Sequence, residues 1–173
     1  MILLRLFCVI ACAAFVSALA AAETHLLPDS AEAAWEEVQK AARPPAPPED
    51  WRDAAPTPEQ REAFQQTLGQ KSAEAARKAR EFHTRFPDHP KAADARAQTG
   101  RFVRQALEFG LAGLPADLEA AVPEEERLKI KINLINRKAM ARQGQGVEGV
   151  MKELEAGVRG LIKQHPESPA PWA

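Results

Sequence analysis

Cysteine is almost missing from this chain. The two that occur, Cys8 and Cys12, both sit near the N-terminus. From residue 13 onward there is no thiol, which excludes a disulfide framework, a thiolate nucleophile and a cysteine metal site from the body of the protein. Charge of one sign is lacking as well: 23 Lys and Arg oppose 24 Asp and Glu, for a net −1 at pH 7. The two signs are interspersed, as on solvated helix faces, and leave no electrostatic footprint for nucleic acid. No stretch alternates with period two for long enough to argue for a strand. Lys129-Ile130-Lys131-Ile132 does alternate, but helical signals flank it on both sides.

Long apolar runs are confined to the N-terminus. Arg5 supplies a positive charge, Leu6 to Leu19 is almost wholly apolar, and Ala18, Ala20 and Ala22 follow at signal-peptidase spacing. Residues 1–22 are therefore expected to be a secretory signal cleaved after Ala20 or Ala22, leaving no membrane span and a periplasmic or secreted protein. Two other readings are a lipoprotein, because Val9-Ile10-Ala11-Cys12 loosely resembles a lipobox, and an uncleaved anchor. Removing 22 of the 173 residues leaves 151, enough for one domain with a modest core.

What is present is a hinge that occurs twice. Phe86-Pro87-Asp88-His89-Pro90 closes one long helical stretch, and His165-Pro166-Glu167-Ser168-Pro169 closes another 79 residues later. Apolar positions upstream keep register: Leu68, Ala75, Ala79 and Phe82 fall on Val147, Leu154, Val158 and Leu161. A unit of this kind predicts an all-α fold: a tetratricopeptide-like array of antiparallel helical hairpins with about five helices. A first helix is expected within 23–43, with Asp29 as N-cap and a stripe of Ala31, Ala34, Trp35, Val38 and Ala42.

Residues 44–57 form a proline-rich strut; with Pro58 they complete a set of six prolines, and Trp51 serves as an anchor. The competing reading is a docking sequence for a proline-binding partner. A helical-repeat domain then spans 58–165. Thr57-Pro58-Glu59-Gln60 opens its first helix as a capping box. The seam of that helix is Phe64, Leu68, Ser72, Ala75, Ala79, Phe82 and Phe86, with Gly69 loosening it locally.

Pro90 to Phe109 is the next helix, with Ala93, Ala97, Gly100, Val103 and Leu107 buried and Gly110 ending it. One helical turn is expected near Asp117 to Ala121. Pro123 and Glu124–Glu126 start a central helix that is apolar on more than one side. After Gly144 and Gly146, a last helix is expected to bury Val147, Val150, Met151, Leu154, Val158, Leu161 and Ile162. Residues 166–173 are a tail, or the start of a further segment.

Signatures of chemistry are weak. His83, His89 and Asp88 could face one another across the hinge, but hinge-stabilising polar residues explain them better than a metal site. There is no G-x-S-x-G and no cysteine to activate. Gly144-x-Gly146-x-x-Gly149 follows a helix rather than a strand, so it carries no dinucleotide reading. No catalytic, cofactor-binding or metal residue is assigned. Phe86, Pro87, Asp88, His89, Pro90, Pro166, Glu167 and Pro169 are assigned a structural hinge role.

Three segments carry a family resemblance: A-W-E-E-V-Q-K-A-A-R-P-P-A-P-P-E-D-W from Ala34, T-P-E-Q-R-E-A-F from Thr57, and A-R-E-F-H-T-R-F-P-D-H-P-K-A-A-D-A-R from Ala79. They resemble the N-terminal helical region of exported bacterial redoxins, in which a thioredoxin-like domain follows. The resemblance implies a helical segment that accompanies thiol–disulfide chemistry. The sequence departs from that family in having no C-x-x-C, so no catalytic residue carries over. Three functional expectations stand: a non-catalytic interaction or accessory module with a protein partner in the envelope, the front part of a longer oxidoreductase joined to a covalently following domain, and an envelope assembly scaffold.

Overall fold

The computed structural model describes residues 26–164. The expected signal at 1–22, the second hinge with Pro166, Glu167 and Pro169, and His25, His165 and Trp172 lie outside the described residues. Those residues form an all-α protein of packed helix pairs. Five helices have eleven residues or more, α1 (Ala31–Ala41), α2 (Pro58–Arg85), α3 (Ala92–Glu108), α5 (Glu124–Met140) and α6 (Gly146–Gln164), and a single helical turn, α4 (Ala116–Glu119), lies between α3 and α5.

Local chemistry sets the helix ends. Ser30 caps α1, its Oγ accepting from the Ala33 N–H at 3.2 Å. Asp29, expected in that role, instead accepts a hydrogen bond from Arg85 Nη2 at 2.9 Å. Serine is as good a cap as aspartate, and it stands next to the first turn with the extended backbone a cap needs. The capping box of α2 is as expected: Thr57 Oγ1 accepts from the Gln60 N–H at 3.3 Å, and Gln60 Oε1 accepts from the Thr57 N–H at 2.8 Å.

The hinge at Phe86–Pro90 turns the chain from α2 into α3. The His89 N–H reaches the Phe86 carbonyl at 3.2 Å, and the Ala92 N–H reaches the His89 carbonyl at 2.8 Å. This turn takes up Pro90 and Lys91, so α3 starts at Ala92 rather than Pro90. Its far end closes as a Schellman motif, with Gly110 N–H to Leu107 O at 2.8 Å and Leu111 N–H to Ala106 O at 3.0 Å.

The core lies between α2 and α3. Ala73, Ala75, Ala76 and Ala79 of α2 are buried, as are Ala95, Phe102, Val103 and Ala106 of α3. Ala93 and Ala97, expected in that row, are exposed. Alanine gives a weak directional signal, whereas turning α3 to bury Phe102 removes far more apolar area from water. Thr99 is the polar member of the buried face, and its hydroxyl is satisfied by the Ala95 carbonyl at 3.0 Å.

Gly69 has a packing role in α2 that its spacing did not reveal. A Cβ there would lie 3.3 Å from the Cβ atoms of both Phe109 and Leu111, so the missing side chain is where the end of α3 presses on α2. Two apolar clusters flank the seam. One joins Leu27, Ala34, Val38, Ala79, Phe82 and Ala95, with Trp35 and Phe86 beside them. The other extends from Ala76 and Phe102 through Leu114, Leu118 and Val122 to Ile130. Helix α5 bridges α3 and α6.

Phe82 is fully buried and meets Trp35, Phe86 and His89 at ring-centroid distances of 5.2, 5.3 and 5.3 Å. Phe82→Ala should therefore destabilise the protein by about 3–5 kcal/mol, from lost transfer energy and the cavity left behind. A urea midpoint within experimental error of the parent would show that this cluster is not part of the cooperative core.

Candidate functional site

Two features of the surface stand out: a shallow groove beside α2 and the open face of α6. The groove, of about 400 Å³, is lined by Arg77, Arg80, Glu81, Thr84, Arg85, Pro115, Asp117 and Leu118. Its charges are mostly spent within the fold. Arg80 pairs with Asp117 of α4. Arg85 Nη1 donates to Glu81 Oε1 and to the Leu27 carbonyl, each at 2.9 Å. Glu81 in turn accepts from the Leu26 and Leu27 N–H groups at 2.9 and 3.3 Å. This clamp ties the chain ahead of α1 to the end of α2, which is a structural use of the charges.

The hinge residues are likewise occupied in the turn. His89 Nδ1 accepts from the Lys91 N–H at 3.2 Å, and its ring stands edge-on to Phe82. Among the described residues no three His, Cys, Asp or Glu side chains gather where they could hold a metal. Pro87, Asp88 and Pro90 are exposed at the turn. Trp51, in a short 3-10 turn, packs edge-on to Phe64 at 5.1 Å and fastens the proline segment to the start of α2.

Helix α6 is different. A residue every 100° puts Gly157, Val150, Leu161 and Leu154 on one half of an apolar arc about 140° wide, and Val147, Val158, Met151 and Ile162 on the other half. The first half rests on α5. A Cβ on Gly157 would sit 2.6 Å from Ile135 Cγ2, so α5 presses directly on the α6 backbone. The second half faces water: Val147 is 80% exposed, Met151 58% and Ile162 53%, with Val158 half-buried among them. The expected burial of Val147, Met151 and Ile162 is thus wrong. The arc is wider than one neighbouring helix can cover, and α5 is the principal helix packed on it. That width was visible in the spacing; the number of neighbours was not.

No family model, curated protein or solved structure matches this chain.

Among the shifted groups, His83 bears on pH. It is half-buried on α2, and burial holds its imidazole below the ordinary value of 6.5, helped by the charges of Arg96 and Arg80. The folded value lies below the unfolded one, so the unfolded chain takes up the proton first as pH falls. The histidine's contribution is complete above the unfolded value and is lost as pH drops below about 6.5. The thermal midpoint should fall between about pH 7.5 and 5.5, and His83→Gln should flatten that slope. An unchanged slope in the variant would assign the effect elsewhere.

Proposed function

We propose that this chain is an exported, non-catalytic interaction module, a tetratricopeptide-like stack of helical hairpins whose contact surface is the open half of α6. The observation that carries the reading is the row Val147, Met151, Val158 and Ile162, a continuous apolar face on a helix supported from behind by α5. Covering one such side chain gains about 1.5–3 kcal/mol, so a row of them favours a partner. The groove beside α2 supports no competing site, because Arg80 and Arg85 are held in ion pairs with Asp117, Glu81 and Asp29. The partner is a protein of the envelope.

A photo-crosslinking residue at Met151, in cells that make the full chain, should give discrete adducts. The same residue at Glu62, an exposed position on α2, should give none. No discrete adduct at position 151 would refute the contact-face reading.

A second reading rests on the segments from Ala34, Thr57 and Ala79 that resemble exported redoxins. Under it, the helices are the front part of a thiol–disulfide oxidoreductase and the open half of α6 receives the domain that follows. Reading the gene downstream of codon 173 decides it, since a stop codon with no thioredoxin-like frame beyond it removes this reading.

A further inference from the structure

The apolar positions of the open half of α6 are placed symmetrically about its centre. Val147 and Ile162 are equidistant from the midpoint between Leu154 and Glu155, and so are Met151 and Val158. Laid against a second copy in antiparallel fashion, Val147 faces Ile162 and Met151 faces Val158, each pair occurring twice. That is the condition for an isologous two-fold interface, in which one patch is its own complement.

Charge at the rim obeys the same symmetry. On the outer edge of the apolar row, Glu148 lies in the first turn of α6 and Arg159 in its second half. Antiparallel pairing brings Glu148 of each copy to within two residues of register, about 3 Å along the axis, of Arg159 of the other, within reach of these long side chains. The helix dipoles are then opposed as well, which a parallel arrangement would not achieve. One element resists: Glu155 lies near the two-fold axis and meets its own copy. Arg159, already paired with Glu155 in the same helix, moderates that repulsion.

We propose that the occupant of the open α6 face is a second copy of this chain, and that α5 and α6 of two molecules form an antiparallel four-helix bundle. Met140, at the end of α5, is a further exposed apolar side chain of this helix pair. Helical hairpins joined by short turns are the units from which such bundles are built. The proposal rests on the reading of α6 as the contact face and specifies what covers it.

Sedimentation of the full chain, purified as its host accumulates it, provides the test. The mass should double as concentration rises from about 1 μM towards 1 mM. Met151→Glu should leave a folded monomer, with helical circular dichroism unchanged. Glu148→Arg or Arg159→Glu alone should weaken association at least about tenfold, and the double variant Glu148→Arg/Arg159→Glu should recover it. Recovery distinguishes pairing from helix damage, because both changes oppose the helix dipole and their sum is worse for an isolated helix. Glu155→Gln should tighten the dimer.

A monomer at every concentration would overturn the pairing. So would a dimer indifferent to Met151→Glu, or a double variant no better than its parents. The same holds if residues 165–173 of the same chain cover the row, seen as an intramolecular crosslink from position 151. If the chain is monomeric but position 151 crosslinks to a different protein, only the self-pairing fails. If it is monomeric and gives no adduct at all, the contact-face reading fails with it.

Discussion

Where α2 crosses α3, alanines fill the space between them. Ala73, Ala75, Ala76 and Ala79 meet Ala95 and Ala106, and Gly69 leaves room for the turn at Phe109 and Leu111. Small side chains let two backbones approach closely, so dispersion contacts accumulate along the seam although each residue buries little area. The approach also sets an angle. With α2 and α3 held close, the larger side chains fall to the flanks: Phe82, Val38 and Trp35 on one side, Phe102, Leu118 and Val122 on the other. The remaining elements pack onto those flanks.

Ion pairs between elements then fix how the peripheral pieces sit. Glu81 and Arg85 hold the backbone at Leu26 and Leu27, Lys78 reaches Glu37 of α1 at 3.1 Å, and Arg80 holds Asp117 of α4. Arg104 Nη2 donates to Glu126 Oε2 at 3.2 Å across α3 and α5, and this bond lowers the Glu126 carboxyl below its ordinary value. Such partly exposed pairs add little to stability in water. Their weight lies in register: each joins residues far apart in sequence and disfavours rotation of one helix against the next.

The two ends of the helical array therefore differ in kind. Helix α1 has its apolar residues covered, Ala34 and Val38 completely, by α2. Helix α6 has an apolar arc about 140° wide with α5 as the principal helix behind it among the described residues, and Val147, Met151 and Ile162 on that arc are exposed. Interaction is the reading most consistent with that asymmetry. An exposed apolar row on a rigid support loses little conformational entropy when it is covered, which favours association.

Much of the fold was legible in the residues themselves. Thr57-Pro58-Glu59-Gln60 carries the chemistry of a helix start, and Gly110 that of a helix end. The hinge at Pro87–Pro90 carries that of a reversal. These are local effects, settled by which backbone groups a neighbouring side chain can satisfy. The open face was not legible: Val147, Met151 and Ile162 were expected inside because their spacing matches that of a buried stripe. Periodicity reports that a helix has an apolar side, but burial requires a second surface at the right distance. Whether one is there depends on how α5 and α6 sit against α3, a long-range matter of packing. The sequence by itself determined the helices, their ends and their apolar arcs, because those follow from bonds and periods a few residues long. Only the tertiary structure decided which arcs are covered, because covering is a relation between segments that no single helix contains.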